Sequence, residues 1–286
     1  MLLRVVHTTT YLYAETVPIC HTEVRLIPRS GRNQTLREHE LAIDPPGGSS
    51  VARQDYFGNA VTMLTIDVPH RTLRIAARSL VEMHDHEPIH PALTQPWEQA
   101  RDILRQHQSD AAFDAFQFVF ESPRVPLAPE FAAYAEPSFP AGRPLLEGAL
   151  DLCHRIFIDF KYDREATTVA TSVEEVLRAR HGVCQDFAHV MIACLRSLGL
   201  PARYVSGYLR TGEAIGAHAS HAWLSIFSPR FGWMDLDPTN DVIPSTRHVT
   251  LGWGRDYSDV APVKGVALGG GKHTIEVDVE VRPDRA

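Results

Sequence analysis

Gly182-Val183-Cys184-Gln185-Asp186-Phe187-Ala188-His189, running on to Leu195-Arg196-Ser197-Leu198-Gly199-Leu200-Pro201, is the stretch on which the fold turns. Phe187, Met191, Cys194, Leu195 and Leu198 recur at helical spacing. The pattern predicts a helix from about Cys184 to Leu198 with one apolar face, stopped by Gly199-Leu200-Pro201. Cys184 stands at its start, where unpaired backbone N–H groups and the positive end of the helix dipole favour an anion. That is the setting that makes a thiol a nucleophile. Cys153 and Cys194 fall mid-helix on apolar faces and read as small core residues.

Downstream of this helix the sequence turns strand-like over residues 203–210, 222–227 and 233–237, with Ser228-Pro229-Arg230-Phe231-Gly232 as the hairpin turn between the last two. A turn centred near residue 230 makes antiparallel partners sum to about 458 to 460. His221 then lies opposite positions 237 to 239, and Asp237 opposite 221 to 223, so the two side chains can face each other. Asp235 shares that face but is displaced by two residues, roughly 6 to 7 Å along the ladder, and is the weaker partner. A cysteine on a helix followed by a histidine and an acid on adjacent strands is the order of papain-like nucleophilic sites.

Upstream, Leu145, Leu146, Ala149, Leu152, Cys153, Ile156, Phe157 and Phe160 mark a helix with a buried face. Ser172-Val173-Glu174-Glu175 has capping-box spacing and opens another, which Gly182 is placed to close. Residues 86–144 carry many prolines, Pro123, Pro126, Pro129, Pro137, Pro140 and Pro144 among them, which leaves room only for short helices. Residues 1–85 alternate short β-branched runs with turn signals such as Asp44-Pro45-Pro46-Gly47-Gly48 and Phe57-Gly58-Asn59, the pattern of an antiparallel β domain. In the tail, residues 274–281 alternate with period two and are placed to return to the amino-terminal sheet.

Composition bounds the function. The chain has 286 residues, 44% hydrophobic and 22% charged, enough for a sizeable core in one or two domains. Its net charge of -7, with no basic run or stripe, argues against nucleic acid as a partner. The first residues turn polar too soon for a signal peptide, and no apolar window is long enough to span a bilayer, so the expectation is a cytoplasmic protein without membrane contact. The four cysteines match neither a disulfide framework nor a paired zinc motif and are expected as reduced thiols.

The segments 182–189 and 195–208, with His221-Ala222-Trp223 and Gly232-Trp233-Met234-Asp235-Leu236-Asp237-Pro238-Thr239, resemble the bacterial transglutaminase-like proteins in the same order, over about residues 145 to 245. Thr10-Tyr11-Leu12-Tyr13 and Arg25-Leu26-Ile27-Pro28-Arg29 resemble the β-sandwich domain that precedes this core in that bacterial group. The resemblance implies Cys184 as nucleophile, His221 as base and then acid, and Asp237 as the group orienting the imidazole. In the animal cross-linking enzymes a tryptophan upstream of the nucleophile helps hold the oxyanion, and here Val169-Ala170-Thr171 occupies the comparable region. The Cys184 backbone N–H supplies one donor, and Gln185 and Tyr162 are the candidates for another. Asp186 and His189, further along the same helix, are either rim residues that touch substrate or ordinary helix polar groups.

The remaining motifs carry less. His84, His86 and His90 match no known zinc spacing and read as a solvated linker. Neither HExxH nor a deaminase signature occurs, Ser220 and His218 lack a G-x-S-x-G elbow, and glycines 269 to 271 lack the context of a phosphate loop.

The expectation is therefore an α+β protein. An N-terminal antiparallel β-sandwich (1–85) and a proline-rich helical connection (86–144) lead to a papain-like, transglutaminase-like core of helices packed on an antiparallel sheet (145–265), with a C-terminal strand (266–286). Its expected function is cysteine-dependent hydrolysis of a peptide or amide bond through a thioester, with no cofactor and no metal, acting on a peptide or protein substrate. The other readings are acyl transfer to an amine and a peptide-binding scaffold without turnover.

Overall fold

The computed structural model describes residues 1–106, 109–167, 171–210, 212, 215 and 219–284. Six strands come first: β1 (Leu2–Val17), β2 (Ile19–Val24), β3 (Gln34–Asp44), β4 (Ser49–Gln54), β5 (Ala60–Ile66) and β6 (His70–Met83). Next come α1 (Trp97–Arg105), α2 (Asp110–Phe116), α3 (Pro129–Ala135), α4 (Leu145–Asp159), β7 (Lys161–Tyr162), α5 (Val173–Ala179), β8 (His181–Gly182) and α6 (Cys184–Ser197). The chain finishes through β9 (Ala202–Leu209), β10 (His221–Ser228), β11 (Gly232–Leu236), β12 (His248–Gly254), α7 (Tyr257–Val260), β13 (Val263–Leu268) and β14 (His273–Pro283).

The sandwich comprises two four-stranded sheets, ordered β14-β1-β6-β3 and β13-β2-β5-β4. Along β1, Leu3, Val5, His7 and Thr9 are buried and alternate with more exposed neighbours, the period of a strand with one face inward. Leu64 and Ile66 of β5 meet Leu73 and Ile75 of β6 in the shared core, each contributing about 1.5–3 kcal/mol through burial. The tail contributes an outer strand to both sheets, since β14 pairs with β1 from Leu3↔Pro283 to Tyr13↔His273 and β13 pairs with β2. The core therefore ends earlier than residue 265: β13 starts at Val263 and its ladder partner Val24 is in the sandwich.

The core is a sheet ordered β11-β10-β9-β12 with α6 laid across it. Twelve of the residues of α6 are buried, so the helix is enclosed on every side rather than on the single face its spacing suggested. The cause is α3, α4 and α5, which cover the flank of α6 away from the sheet. Phe131 and Ala135 of α3, one helical turn apart, are fully buried in this core, so the proline-rich segment packs as part of it instead of bridging two domains. The helix capped by Ser172 stops at Ala179 through a left-handed Arg180, and Gly182 belongs to β8.

Side-chain amides fasten the sandwich to the outer edge of the core sheet. Gln34 donates to the Thr250 carbonyl and accepts from its N–H, both at 2.8 Å. Asn59 does the same for Trp253, at 2.8 and 3.0 Å. Each amide imitates a strand residue and occupies the open edge of β12.

Candidate active site

Cys184 is the first residue of α6, with Val183 as N-cap in extended conformation. Asp186 folds back so that its Oδ2 accepts the Val183 N–H at 2.9 Å and the Thr167 hydroxyl at 2.7 Å, which closes the helix end. Only glycine fits at 182, because a Cβ there would stand 2.6 Å from that carboxylate oxygen. Cys184 is thereby held on a rigid turn with 8% of its surface exposed.

The imidazole comes from the sheet. β10 and β11 pair with Leu224↔Leu236, a register that puts Asp237 level with Trp223 and within reach of His221 at the start of the strand. His221 Nε2 lies 2.8 Å from Asp237 Oδ2, with both side chains buried. Nδ1 is buried with no oxygen or nitrogen partner, and it is the ring nitrogen on the side of the Cys184 sulfur. Burial opposes a charge on this ring, but Asp237 and then Cys184 outweigh it, and the imidazole pKa is pushed up to about 10. Trp223 lies nearly parallel to the ring at 6.1 Å, in space that Gly207 leaves open: a Cβ at 207 would meet the indole at 2.4 Å.

Asp237 is the most heavily bonded carboxylate of the site. Oδ1 accepts from the Thr239 N–H at 3.0 Å, while Oδ2 accepts from Asn240 Nδ2 at 2.9 Å and lies 3.2 Å from His248 Nε2. Ser245 N–H points at His248 Nδ1 over 3.4 Å, which assigns the proton of a neutral His248 to Nε2 and makes it a donor to Asp237. Burial raises the Asp237 pKa, yet His221 and His248 together hold it well below the usual carboxylate range. Asp235 bonds to Ser225 instead.

The other residues singled out from sequence divide. Tyr162 lies beside the cysteine, because the short parallel ladder of β7 and β8 sets it level with Gly182; burial first, and then the Cys184 sulfur, raise its phenol pKa. Gln185 is half-buried next to Cys184. Asp186 is the helix cap described above. His189 is a packing residue: it is buried, stacks on Tyr204 at 4.9 Å and accepts the Tyr257 N–H at 3.2 Å, with its pKa driven down to about 3 by burial. Val169, Ala170 and His218 lie outside the described residues, and Thr171 is half-buried. His84 bonds to Thr35 and His86 is exposed; among the described residues these and His90 do not converge. The metal-competent grouping is instead His221, Asp237 and His248, whose ligand atoms lie within 4.8 Å of one another.

His248 and Asn240 escaped the sequence reading, which placed no strand at 248–254. The signal was a β-branched and apolar run, His248-Val249-Thr250-Leu251, masked by the glycines at 252 and 254.

A helix start holding a cysteine against a buried histidine–carboxylate pair on an antiparallel sheet defines the class of papain-like cysteine enzymes. Residues 3–82 match the bacterial transglutaminase-like N-terminal region and residues 133–238 the transglutaminase-like superfamily. An uncharacterised protein of Mycobacterium tuberculosis is 40% identical over 98% of this chain and 92% of its own. A protein-glutamine gamma-glutamyltransferase of Pseudomonas aeruginosa is 36% identical over 27% of this chain and 13% of its own. The fold is shared with a crystal structure from Cytophaga hutchinsonii, provisionally described as a cysteine protease, at TM-score 0.78 and 20% identity over 100% of this chain and 92% of that one. The chain belongs to the transglutaminase-like superfamily. No helix among the described residues is long and apolar enough to cross a membrane.

Proposed function

We propose that Cys184, His221 and Asp237 are the catalytic triad of a hydrolase that cleaves a peptide or amide bond in a peptide or protein substrate. The observation that carries this is the orientation of His221: Asp237 occupies Nε2, and the remaining nitrogen faces the sulfur at the α6 terminus. An imidazolium there stabilises a thiolate. The thiolate attacks the carbonyl carbon, and the oxyanion is held by the Cys184 backbone N–H with Gln185 or Tyr162 as second donor. His221 Nδ1 gives its proton to the leaving amine as the C–N bond breaks, which leaves a thioester. Water then loses a proton to Nδ1 and adds to the thioester. The C–S bond breaks, the carboxylic acid departs and the thiolate returns.

A second reading, acyl transfer to an amine in place of water, draws on the local similarity to the Pseudomonas glutamyltransferase. One experiment separates these readings from a scaffold. A peptide library is incubated with wild type and Cys184→Ala, with and without a primary amine, and products are read by mass spectrometry. Carboxylate products without amine, absent in the variant, are the expected result. Products only with amine establish transfer, and identical wild-type and variant profiles, together with no selective iodoacetamide labelling of Cys184, leave the scaffold.

A further inference from the structure

Two arginines are buried in the core, and they are treated differently. Arg196 makes five hydrogen bonds, to the carbonyls of Ala202 (twice), Phe120 and Arg255 and to Ser122 Oγ, so its charge is fully surrounded by acceptors. Arg203, only 9% exposed, makes one, from Nε to Ser225 Oγ at 3.3 Å. Its guanidinium is stacked between Trp233 at 4.2 Å and Trp253 at 3.9 Å, and Arg29 covers the Trp253 ring at 3.6 Å. Among the described residues its two terminal nitrogens have no hydrogen-bond partner and it forms no ion pair. Asp235, bonded to the same Ser225 hydroxyl, is the carboxylate that supports its charge, and the two terminal nitrogens stay open to a further acceptor.

Arg203 borders a cavity of about 240 Å³ at the seam between the sandwich and the core sheet. Apolar walls come from Val205, Trp233, Trp253, Ile89 and Leu146. Arg29, Arg32 and Arg203 also line it against a single carboxylate, Asp235, already bonded to Ser225. The local charge is positive in a chain whose net charge is -7. Cys184, His221 and Asp237 do not line this space.

We infer that the seam cavity is a second binding site, for a small carboxylate with an apolar body. The carboxylate takes the two free nitrogens of Arg203 as a fork, and the body lies against the tryptophan and aliphatic walls. Arg32, exposed at the mouth, adds attraction. The site goes beyond the hydrolase reading and does not depend on it.

The test is a tryptophan-fluorescence titration of the full chain with 3-phenylpropionate and with its uncharged twin, 3-phenylpropionamide. Saturable binding of the acid with a Kd of about 1 mM or tighter is expected, with the amide at least about tenfold weaker. Arg203→Gln should abolish acid binding, and Cys184→Ser, which removes the proposed nucleophile, should leave it intact. No saturation by the acid, equal binding of acid and amide, or loss of binding in Cys184→Ser overturns the inference. If Arg203→Gln does not fold, the wild-type contrast between acid and amide decides alone. Failure here leaves the proposed triad untouched, and an inactive triad leaves this site untouched.

Discussion

His189 and His221 are both almost wholly buried against the core sheet, yet their protons behave in opposite ways. Around His189 the nearest hydrogen-bond partner is a backbone N–H, from Tyr257, and burial drives the imidazole down to about 3. Around His221 the partner is the Asp237 carboxylate at 2.8 Å, and the ring rises to about 10 in spite of its burial. At His189 burial, helped by Arg124 and Arg196, outweighs Asp256, which makes no hydrogen bond to the ring; at His221 a carboxylate in direct contact, itself held by Asn240, Thr239 and His248, reverses the outcome. The charge on the His221 ring thus rests on the acid beside it.

The strongest way to break the contrast is Asp237→Asn. With the carboxylate gone, His221 should fall toward the state of His189, seen as loss of the imidazolium signal by NMR at pH 7. Turnover on any substrate found should drop about 10³- to 10⁴-fold. A ring that stays charged in this variant sinks the argument. His248→Leu removes one donor from Asp237 and should cost about tenfold in turnover, with His248→Gln regaining most of it because its amide again donates. Equal losses in both variants would mean that His248 acts through packing only.

Stability offers a gentler test, with opposite signs for the two rings. The folded pKa of His221 lies above its unfolded value of 6.5, so its contribution is complete below pH 6.5 and is lost as pH rises toward about 10. The folded pKa of His189 lies below 6.5, so the unfolded chain binds the extra proton, and its contribution is complete above pH 6.5 and is lost as pH falls toward 3. Urea midpoints across pH 4 to 10 should flatten on the alkaline side in His221→Ala and on the acid side in His189→Phe. The reverse assignment would refute both. At pH 7 His189→Phe should cost about 1–3 kcal/mol for the orphaned Tyr257 N–H, with turnover changed less than about twofold.

Much of this was legible in the sequence because hairpin arithmetic is local: a five-residue turn fixes the register, and the observed Leu224↔Leu236 pair sums to 460, within the range expected. Helix starts at Cys184 and Val173 followed from spacing and capping residues for the same reason. What escaped depends on distant segments. That α6 is enclosed on all sides follows from α3, about fifty residues upstream, folding back onto it. His248 and Asn240 acquire meaning only when β12 aligns beside β9, since no local pattern ties either to Asp237. The seam cavity is farther still from a local signal, because Arg203 is an ordinary strand residue until Trp233 and Trp253 close around it.

β1 and β2 precede their outer partners β14 and β13 by more than two hundred residues, and the ion pair between Arg4 and Asp284 spans 280 positions. During synthesis the two sheets stay open at one edge until β13 and β14 have emerged. An unpaired edge invites association with another chain. A ribosome stalled after β12 would therefore leave the sandwich without two of its eight strands and with both open edges offered to another chain.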